Sequence, residues 1–236
     1  MKRTDILDMK LHRFLANDIE LKHDFWLHDE RLLHQWNNVL RFRIGQQVVL
    51  FDGKQHERLY KITELTKTEA HLAHVTDFVR KLPNRNVYLM WSLLKKDKND
   101  WVLQKGTEIG VSHFLPLLAD RSEKTGFNHE RAERIIIEAA EQCGRGDIPI
   151  VREPMHVGVA VDQLHDKLTL YICEQDGEDS LEERVHDVGV LIGPEGGWSE
   201  NEKALFQNKG VKHLNLHDFT LRAETAAVVV CSRALQ

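Results

Sequence analysis

Most of what would mark this chain for a specialised compartment or a familiar cofactor is missing from its 236 residues. No apolar run approaches the length of a membrane span, and the opening "MKRTDILDMK" has no apolar core of the kind a secretory signal needs. The cysteines are few and scattered: Cys143, Cys173 and Cys231 form no Cys-x-x-Cys pair. They read as reduced, buried small residues of a cytoplasmic protein rather than a disulfide frame. Fourteen histidines contain no His-Glu-x-x-His, and His71 and His74, three apart on an expected strand, point to opposite faces, so no metal is expected. A phosphate-binding Gly-Lys-Ser/Thr loop, a dinucleotide G-x-G-x-x-G and a nucleophile elbow G-x-S-x-G are absent as well. There are no internal repeats and no low-complexity tract.

A strongly basic surface is lacking too. The net charge of −5 argues against a protein that grips nucleic acid all over. Its distribution is uneven: residues 1–83 carry 14 Lys+Arg against 12 Asp+Glu, the remainder 18 against 25. The first part is thus the better placed to face a polyanion.

Two rhythms are present. Early on, "QQVVLFDG", "RLYKITELT" and "HLAHVTDFV" read as strands, and Leu33, Trp36, Val39 and Leu40 make "DERLLHQWNNVLR" one amphipathic helix. Short strands with one helix imply a small barrel. A polar break at "RKLPNRN" follows. Strands and helices then alternate: "NVYLMWSLL", "NDWVLQKGTEIG", "HFLPLLA", "NHERAERIIIEAAEQCG", "KLTLYIC", "VGVLIG", "SENEKALFQNKG", "VKHLNL" and "AETAAVVVCSRAL". Asn128 and Ser199 with Glu202 serve as caps, and Gly110 and Gly144 as stops. This alternation calls for an α/β domain with a mostly parallel sheet covered on both faces.

Chemistry concentrates in four stretches. "GPEGG" follows a strand and precedes a helix, where bared amides meet ligands. Glu195 in its middle repels phosphate and suits a neutral or cationic ligand; a plain tight turn would use the same glycines. "LRAETAAVVV" sets Arg222 and Glu224 at the mouth of an apolar helix, either the rim of a site or a capped core helix. In "KKDKNDWVLQKGTEIGV", Lys95, Lys96, Lys98 and Lys105 form a phosphate grip or a solvated face. "EQCGRGDIP" holds Arg145 between two glycines.

Taken in order, these four stretches resemble the ribosomal RNA small-subunit methyltransferase E family. "LHRFL" and "LRFRIGQQVVLFDG" match its opening elements, so the resemblance runs from Leu11 to the end. It implies a SPOUT-type α/β domain with a C-terminal trefoil knot over residues 77–236, preceded by a PUA-like RNA-binding β-barrel over 1–76. It also implies a cytoplasmic homodimer that uses S-adenosylmethionine to methylate N3 of a uridine in 16S ribosomal RNA, naked or within the small subunit. The alternative is a non-catalytic RNA-binding dimer on the same scaffold.

For site residues, the resemblance assigns the cofactor to Cys173, Glu174, Gly193, Pro194, Glu195, Gly196, Gly197, Leu216, Leu221, Glu224, Thr225 and Ala226. Candidates for the chemistry are Arg222, then Arg145, with Glu141 as a proton acceptor. RNA contacts fall to Arg13, Lys95 and Lys105, and to Arg41 and Arg43 flanking Phe42, where cations beside an aromatic suit phosphate and base; outward arginines on a strand edge are the other reading. One departure stands out in "LHDFTLR": His217 and Phe219 occupy positions where the family has a glycine and an arginine.

Overall fold

The computed structural model describes residues 11–123, 126–175, 177, 180–181 and 187–236, with the side chain of Lys96 excepted. The opening decapeptide lies outside this range. The chain divides into two units: residues up to Leu82 with Ala140–Asp147, and Pro83–Ala139 with Ile148–Gln236.

The first unit is a five-stranded sheet ordered β1-β3-β4-β5-β2. Its strands are β1 (His12–Leu15), β2 (Asp24–Leu27), β3 (Gln47–Phe51), β4 (Glu57–Leu65) and β5 (Ala70–Asp77). β1 runs parallel to β3, and the other pairs are antiparallel. Helix α1 (Glu30–His34) starts on an Asp29 cap, whose Oδ1 accepts the Leu32 amide at 2.9 Å. The single helix expected here widens instead into a π-helical turn at Gln35–Val39. The physical reason is local: the Asn37 side-chain amide donates to the Leu33 carbonyl at 2.9 Å, the acceptor a regular helix reserves for the Asn37 backbone. Trp36 still seats in the core with Phe14, Leu50, Tyr60 and Leu72.

A tight turn joins β3 to β4. Asp52 Oδ1 accepts the amides of Lys54, Gln55 and His56 at 2.7–2.9 Å, and Gly53 takes φ +69°.

The second unit is a seven-stranded parallel sheet. In chain order its elements are β6 (Asn86–Ser92), α2 (Lys96–Ile109), β7 (His113–Leu118), α3 (His129–Cys143), β8 (Ile150–Val151), β9 (Met155–His156), α4 (Val157–Leu164), β10 (Thr169–Cys173), β11 (Asp187–Ile192), α5 (Glu200–Asn208), β12 (Lys212–Leu214) and α6 (Ala223–Ala234). The strands run in the order β12-β10-β11-β6-β7-β8, and β9 also pairs with β7. Period-2 alternation sends Val87, Leu89 and Trp91 of β6 and Val188, Val190 and Ile192 of β11 to one face, against α2, α3 and α6. Met90 and Leu191 face α4 and α5 on the other. Helices therefore cover both faces, as a parallel sheet buried on two sides requires.

The cysteine reading needs one correction. Cys231 is buried and Cys173 half-buried, but Cys143, the last residue of α3, is exposed.

The Asp52 turn has a measurable consequence. Burial alone would raise this carboxyl, but the His56, Lys54 and Gln55 amides and the His56 ring lower it from 3.8 to about 2. A depressed folded-state pKa stabilises above the unfolded value and is lost as pH falls through the folded one. The stability difference between wild type and Asp52→Asn should therefore be constant above about pH 5 and shrink between about pH 4 and 2. Urea midpoints across that range test it; a difference that does not change with pH would exclude this role.

Candidate functional site

In a parallel sheet all carboxyl ends lie on one edge, and ligands collect where the strand order reverses. Here β6 leads outward to β7 and β8, while β11 leads to β10 and β12, so the reversal lies between β6 and β11. A cavity of about 1190 Å³ opens at this edge. It exceeds the ~300–1,000 Å³ of ordinary single-ligand pockets, leaving room for a second reactant.

Its walls come from two strand ends and one helix start. Cys173 ends β10, and Glu174 and Gln175 follow it; Gly193, Pro194, Glu195, Gly197 and Trp198 follow β11; Leu221 and Arg222 lead into α6, whose first turns add Ala223 and Ala226. Lys98 of α2 and Arg121, beyond β7, close the rim. A smaller hollow of about 130 Å³ involves Leu216, His217 and Phe219 and shares Cys173, Glu174 and Leu221 with the larger one.

The glycine loop is shaped by contacts as well as by turn geometry. Gly197 donates to the Pro194 carbonyl at 2.9 Å and takes φ +69°, a left-handed conformation. A Cβ on Gly193 would lie 3.0 Å from the Trp198 ring, which is itself held edge-on by Phe206 with centroids 5.0 Å apart. Arg121 Nη1 donates to the Gly196 carbonyl at 3.0 Å. Below the loop, Ser199 and Glu202 form the expected capping box on α5, and Glu202 also accepts the Asp120 amide at 3.0 Å. Backbone amides and carbonyls are thus presented on a stiff frame.

Charge here is mixed rather than cationic. Lys98 Nζ lies 3.3 Å from Glu224 Oε2 and 3.5 Å from Glu195 Oε1. Glu224 and then Glu195 hold its pKa above the ordinary lysine value; by geometry the ammonium donates to Glu195, while Glu224 Oε2 is an ion-pair neighbour with no well-formed hydrogen bond of its own. Arg222 is exposed at the N-cap of α6 and makes no side-chain cap bond. Burial pushes the Cys173 thiol up to about 12 and Cys231 higher still, so both stay protonated at neutral pH. Groups of three or more His, Cys, Asp or Glu able to hold a metal are absent among the described residues.

Most of the expected cofactor set converges on these two hollows. Gly196, Glu224 and Thr225 do not line either. Gly196 turns its carbonyl to Arg121, Glu224 is drawn to Lys98, and Thr225 lies exposed in the first turn of α6. At the family departure, His217 and Phe219 stack on each other with centroids 5.3 Å apart, and Phe219 is 74% exposed.

The remaining candidates lie in the first unit or on helix faces. Arg145 is 6% exposed and fixed two-pronged to Asp147 at 2.7 and 2.8 Å. Glu141 accepts the Leu15 amide at 2.9 Å. Neither lines the cavity of the second unit. Arg13 pairs with the buried Glu57 and lies over the Phe51 ring, and Lys105 bonds Glu108 at 2.8 Å. Both side chains have partners within the fold. Arg41, Arg43 and Lys95 are exposed, but Phe42 between the arginines is 9% exposed and packs on His12, Phe14 and Trp36. The ring thus belongs to the core, and only its flanking arginines face solvent.

Sequence reasoning missed Trp198, Arg121, Gln175 and Thr220. Trp198 follows the glycines directly, so its adjacency was a usable signal. Gln175 Nε2 donates to Thr220 Oγ1 at 2.6 Å, closing the strand-end loops on each other. Gly177 was missed too: a Cβ there would lie 2.6 Å from the Asn215 amide nitrogen and the Leu214 carbonyl carbon. Nothing in local composition announces that crossing.

Comparison with known proteins matches this geometry to a family. The family described as RNA methyltransferase domain matches residues 80–235, and that described as RNA methyltransferase PUA domain matches 38–73. The chain is similar to ribosomal RNA small subunit methyltransferase E of Aquifex aeolicus, 30% identical over 78% of this chain and 82% of that one. The Rickettsia conorii counterpart is 26% identical over 85% of each. Among solved structures, the Neisseria gonorrhoeae methyltransferase E bound to S-adenosyl methionine has a TM-score of 0.84, 26% identity and coverage of 94% and 95%. A Legionella pneumophila methyltransferase in complex with the bound cofactor SAM has 0.80, 27%, and 95% and 96%.

Two outcomes are expected of the site as built. Gly197→Ala should destabilise the loop by roughly 1–2 kcal/mol, with Gly197→Asn milder because asparagine tolerates the left-handed region; equal melting temperatures for both variants and wild type would contradict this. At pH 8 iodoacetamide should label Cys143 in the native protein and spare Cys173 and Cys231. Peptide mapping that found Cys173 modified first would overturn the assignment of a protonated, inert thiol.

Proposed function

This chain belongs to the ribosomal RNA small-subunit methyltransferase E family, and from that premise we propose that it transfers a methyl group from S-adenosylmethionine to N3 of a uridine in 16S ribosomal RNA. One observation carries the reading: a glycine loop that bares its backbone, with a carboxylate at its crest, at the carboxyl edge of a parallel sheet. A polyphosphate would be repelled by Glu195, and a sulfonium is not. The cavity residues fit such a ligand: Gly193, Pro194 and Gly197 offer backbone groups, Leu221 and Ala226 offer apolar contact, and Glu195 offers the counter-charge.

When bound, S-adenosylmethionine supplies an electrophilic methyl group on a positively charged sulfur. The chain's own task is to orient the uracil and stabilise its charge. The methyl group would pass to N3 as the S–C bond electrons return to sulfur, leaving a neutral thioether. N3 of uracil must first give up its proton, to solvent or a nearby acceptor, which puts negative charge on O2 and O4. Arg222 is our candidate to face it, since its guanidinium is exposed at the cavity and the N-terminus of α6 adds a positive dipole end. Arg145 and Glu141 we assign to holding the first unit together, given their bonds to Asp147 and Leu15. The exposed Arg41, Arg43 and Lys95 are the proposed phosphate contacts.

We extend the family reading to finer features. The five-stranded unit acts as a PUA-like barrel for RNA, with the functional boundary near residues 76 and 77. The segment bearing α6 forms the trefoil knot. Two chains pair through the outer face of α6, where Val228 and Val229 stay half-exposed although the helix is almost wholly apolar. The cytoplasm, where ribosomes assemble, is the proposed site of action.

Arg222→Ala should bind S-adenosylmethionine normally in equilibrium dialysis yet methylate roughly 10²- to 10³-fold more slowly. Near-normal turnover would remove Arg222 from the chemistry. Mass spectrometry of 16S RNA from cells lacking the protein should show one N3-methyluridine lost; an unchanged spectrum would favour a non-catalytic RNA-binding dimer. Light scattering at micromolar concentration should give twice the mass of one chain, and a monomer would refute pairing through α6.

A further inference from the structure

We propose that Lys98 is an exchangeable counter-charge: Glu195 trades its ammonium for the sulfonium of incoming S-adenosylmethionine, and the freed ammonium turns toward the uracil. The proposal rests on the methyl-transfer reading above.

Lysine is an unfavourable choice at this position on local grounds. Lys98 lies in the first turn of α2, where the helix dipole repels cations, and the N-cap Lys95 offers no side-chain bond. Its surroundings explain it. The ammonium sits between two carboxylates at 3.3 and 3.5 Å, both longer than the ~2.7–2.9 Å of a committed charge-assisted bond, so it is shared rather than locked. The two partners are unequal. Glu224 is largely buried, and losing its cation would strand a carboxylate away from water. Glu195 is mostly exposed, so although Lys98 donates to it at 3.5 Å, water screens that pairing, whereas the buried Glu224 Oε2 has no hydrogen-bond partner and stands ready to take the ammonium.

A second cation arriving at Glu195 therefore displaces Lys98 from that carboxylate and leaves it on Glu224. An ammonium carries three donors on a flexible stem, so it can keep Glu224 and offer another hydrogen to a carbonyl oxygen. Negative charge developing on uracil O2 or O4 then meets a cation that is free only once the methyl donor is in place.

The stem has a firm base. The buried Asn99 accepts from Trp91 Nε1 at 2.9 Å and from the Leu94 amide at 3.1 Å, and donates to the Leu94 carbonyl at 2.9 Å. These bonds fix the turn between β6 and α2, and with it where Lys98 emerges.

Isothermal titration with S-adenosylmethionine and with the uncharged thioether S-adenosylhomocysteine separates charge exchange from ordinary packing. Lys98→Met removes the competitor for Glu195, so it should bind S-adenosylmethionine roughly 3- to 10-fold more tightly and leave S-adenosylhomocysteine unchanged. The same variant should lower single-turnover methylation of unmodified small ribosomal subunits roughly 10²-fold at saturating cofactor. Lys98→Arg should recover part of that rate. Glu195→Gln, an exposed change that leaves the fold intact, should weaken S-adenosylmethionine alone. Parallel shifts for both ligands in Lys98→Met and Glu195→Gln, or full turnover by Lys98→Met, would overturn the exchange. Wild-type protein that binds neither ligand would overturn the methyl-transfer reading itself.

Discussion

Parallel pairing of β11 with β6 on one side and β10 on the other is the constraint on which the site depends. From Val188 to Leu191 β11 is paired on both sides, and both faces are buried by helices, so the chain stays in the sheet until Ile192. Gly193 is where it leaves. The Trp198 ring, 3.0 Å from where a Cβ would stand, forbids any side chain there without rearrangement. The cavity follows from topology first and from residue identity second: two strand ends and one helix start opening on one edge bring Glu174, Glu195 and Arg222 to one cavity from positions nearly fifty residues apart.

Within that frame the electrostatics are balanced rather than one-signed. Lys98, Glu195 and Glu224 come from three different elements, and Arg222 adds a further cation at the wall. A site built for a polyphosphate would carry a surplus of cations. A site that must accept a sulfonium and then support a growing anion needs charges of both signs within reach of the same point, and enough rigidity that neither drifts. Asn99 beneath Lys98, and Arg121 and Glu202 around the glycine loop, supply that rigidity.

The first unit spends its buried charges differently. Arg13 ties β1 to β4 through Glu57 and reaches the Arg145 carbonyl at 3.4 Å, Glu141 at the end of α3 accepts the Leu15 amide, and Arg145 pairs with Asp147 within the turn that follows. Gly146 completes this arrangement: it donates to the Lys81 carbonyl at 2.8 Å and accepts from Arg80, and a Cβ on it would lie 2.9 Å from that of Arg80. The Gly-Arg-Gly-Asp run is held on both sides, by the Arg145–Asp147 pair and by the Gly146 bonds. Buried charges persist where partners are complete, and these pairs specify how distant segments meet.

The sequence by itself determined what depends on neighbours a few residues apart. Strand alternation in β6 and β11, the capping box of Ser199 and Glu202, the stop at Gly110 and the bared backbone of Gly193–Gly197 are all local, because hydrophobic period, cap chemistry and glycine freedom act over a turn or two. The order of strands was not legible, nor was the side of the sheet on which each helix lies. Tertiary structure alone decided that Lys98 meets Glu195 and Glu224, that Gly177 crosses the backbone of Leu214 and Asn215, and that Phe42 turns inward while its arginines turn out. The reason is physical. Which of two identical-looking cations is free and which is spent depends on partners forty to a hundred and thirty residues away, and no local pattern encodes a contact whose other half is set by the path of the chain.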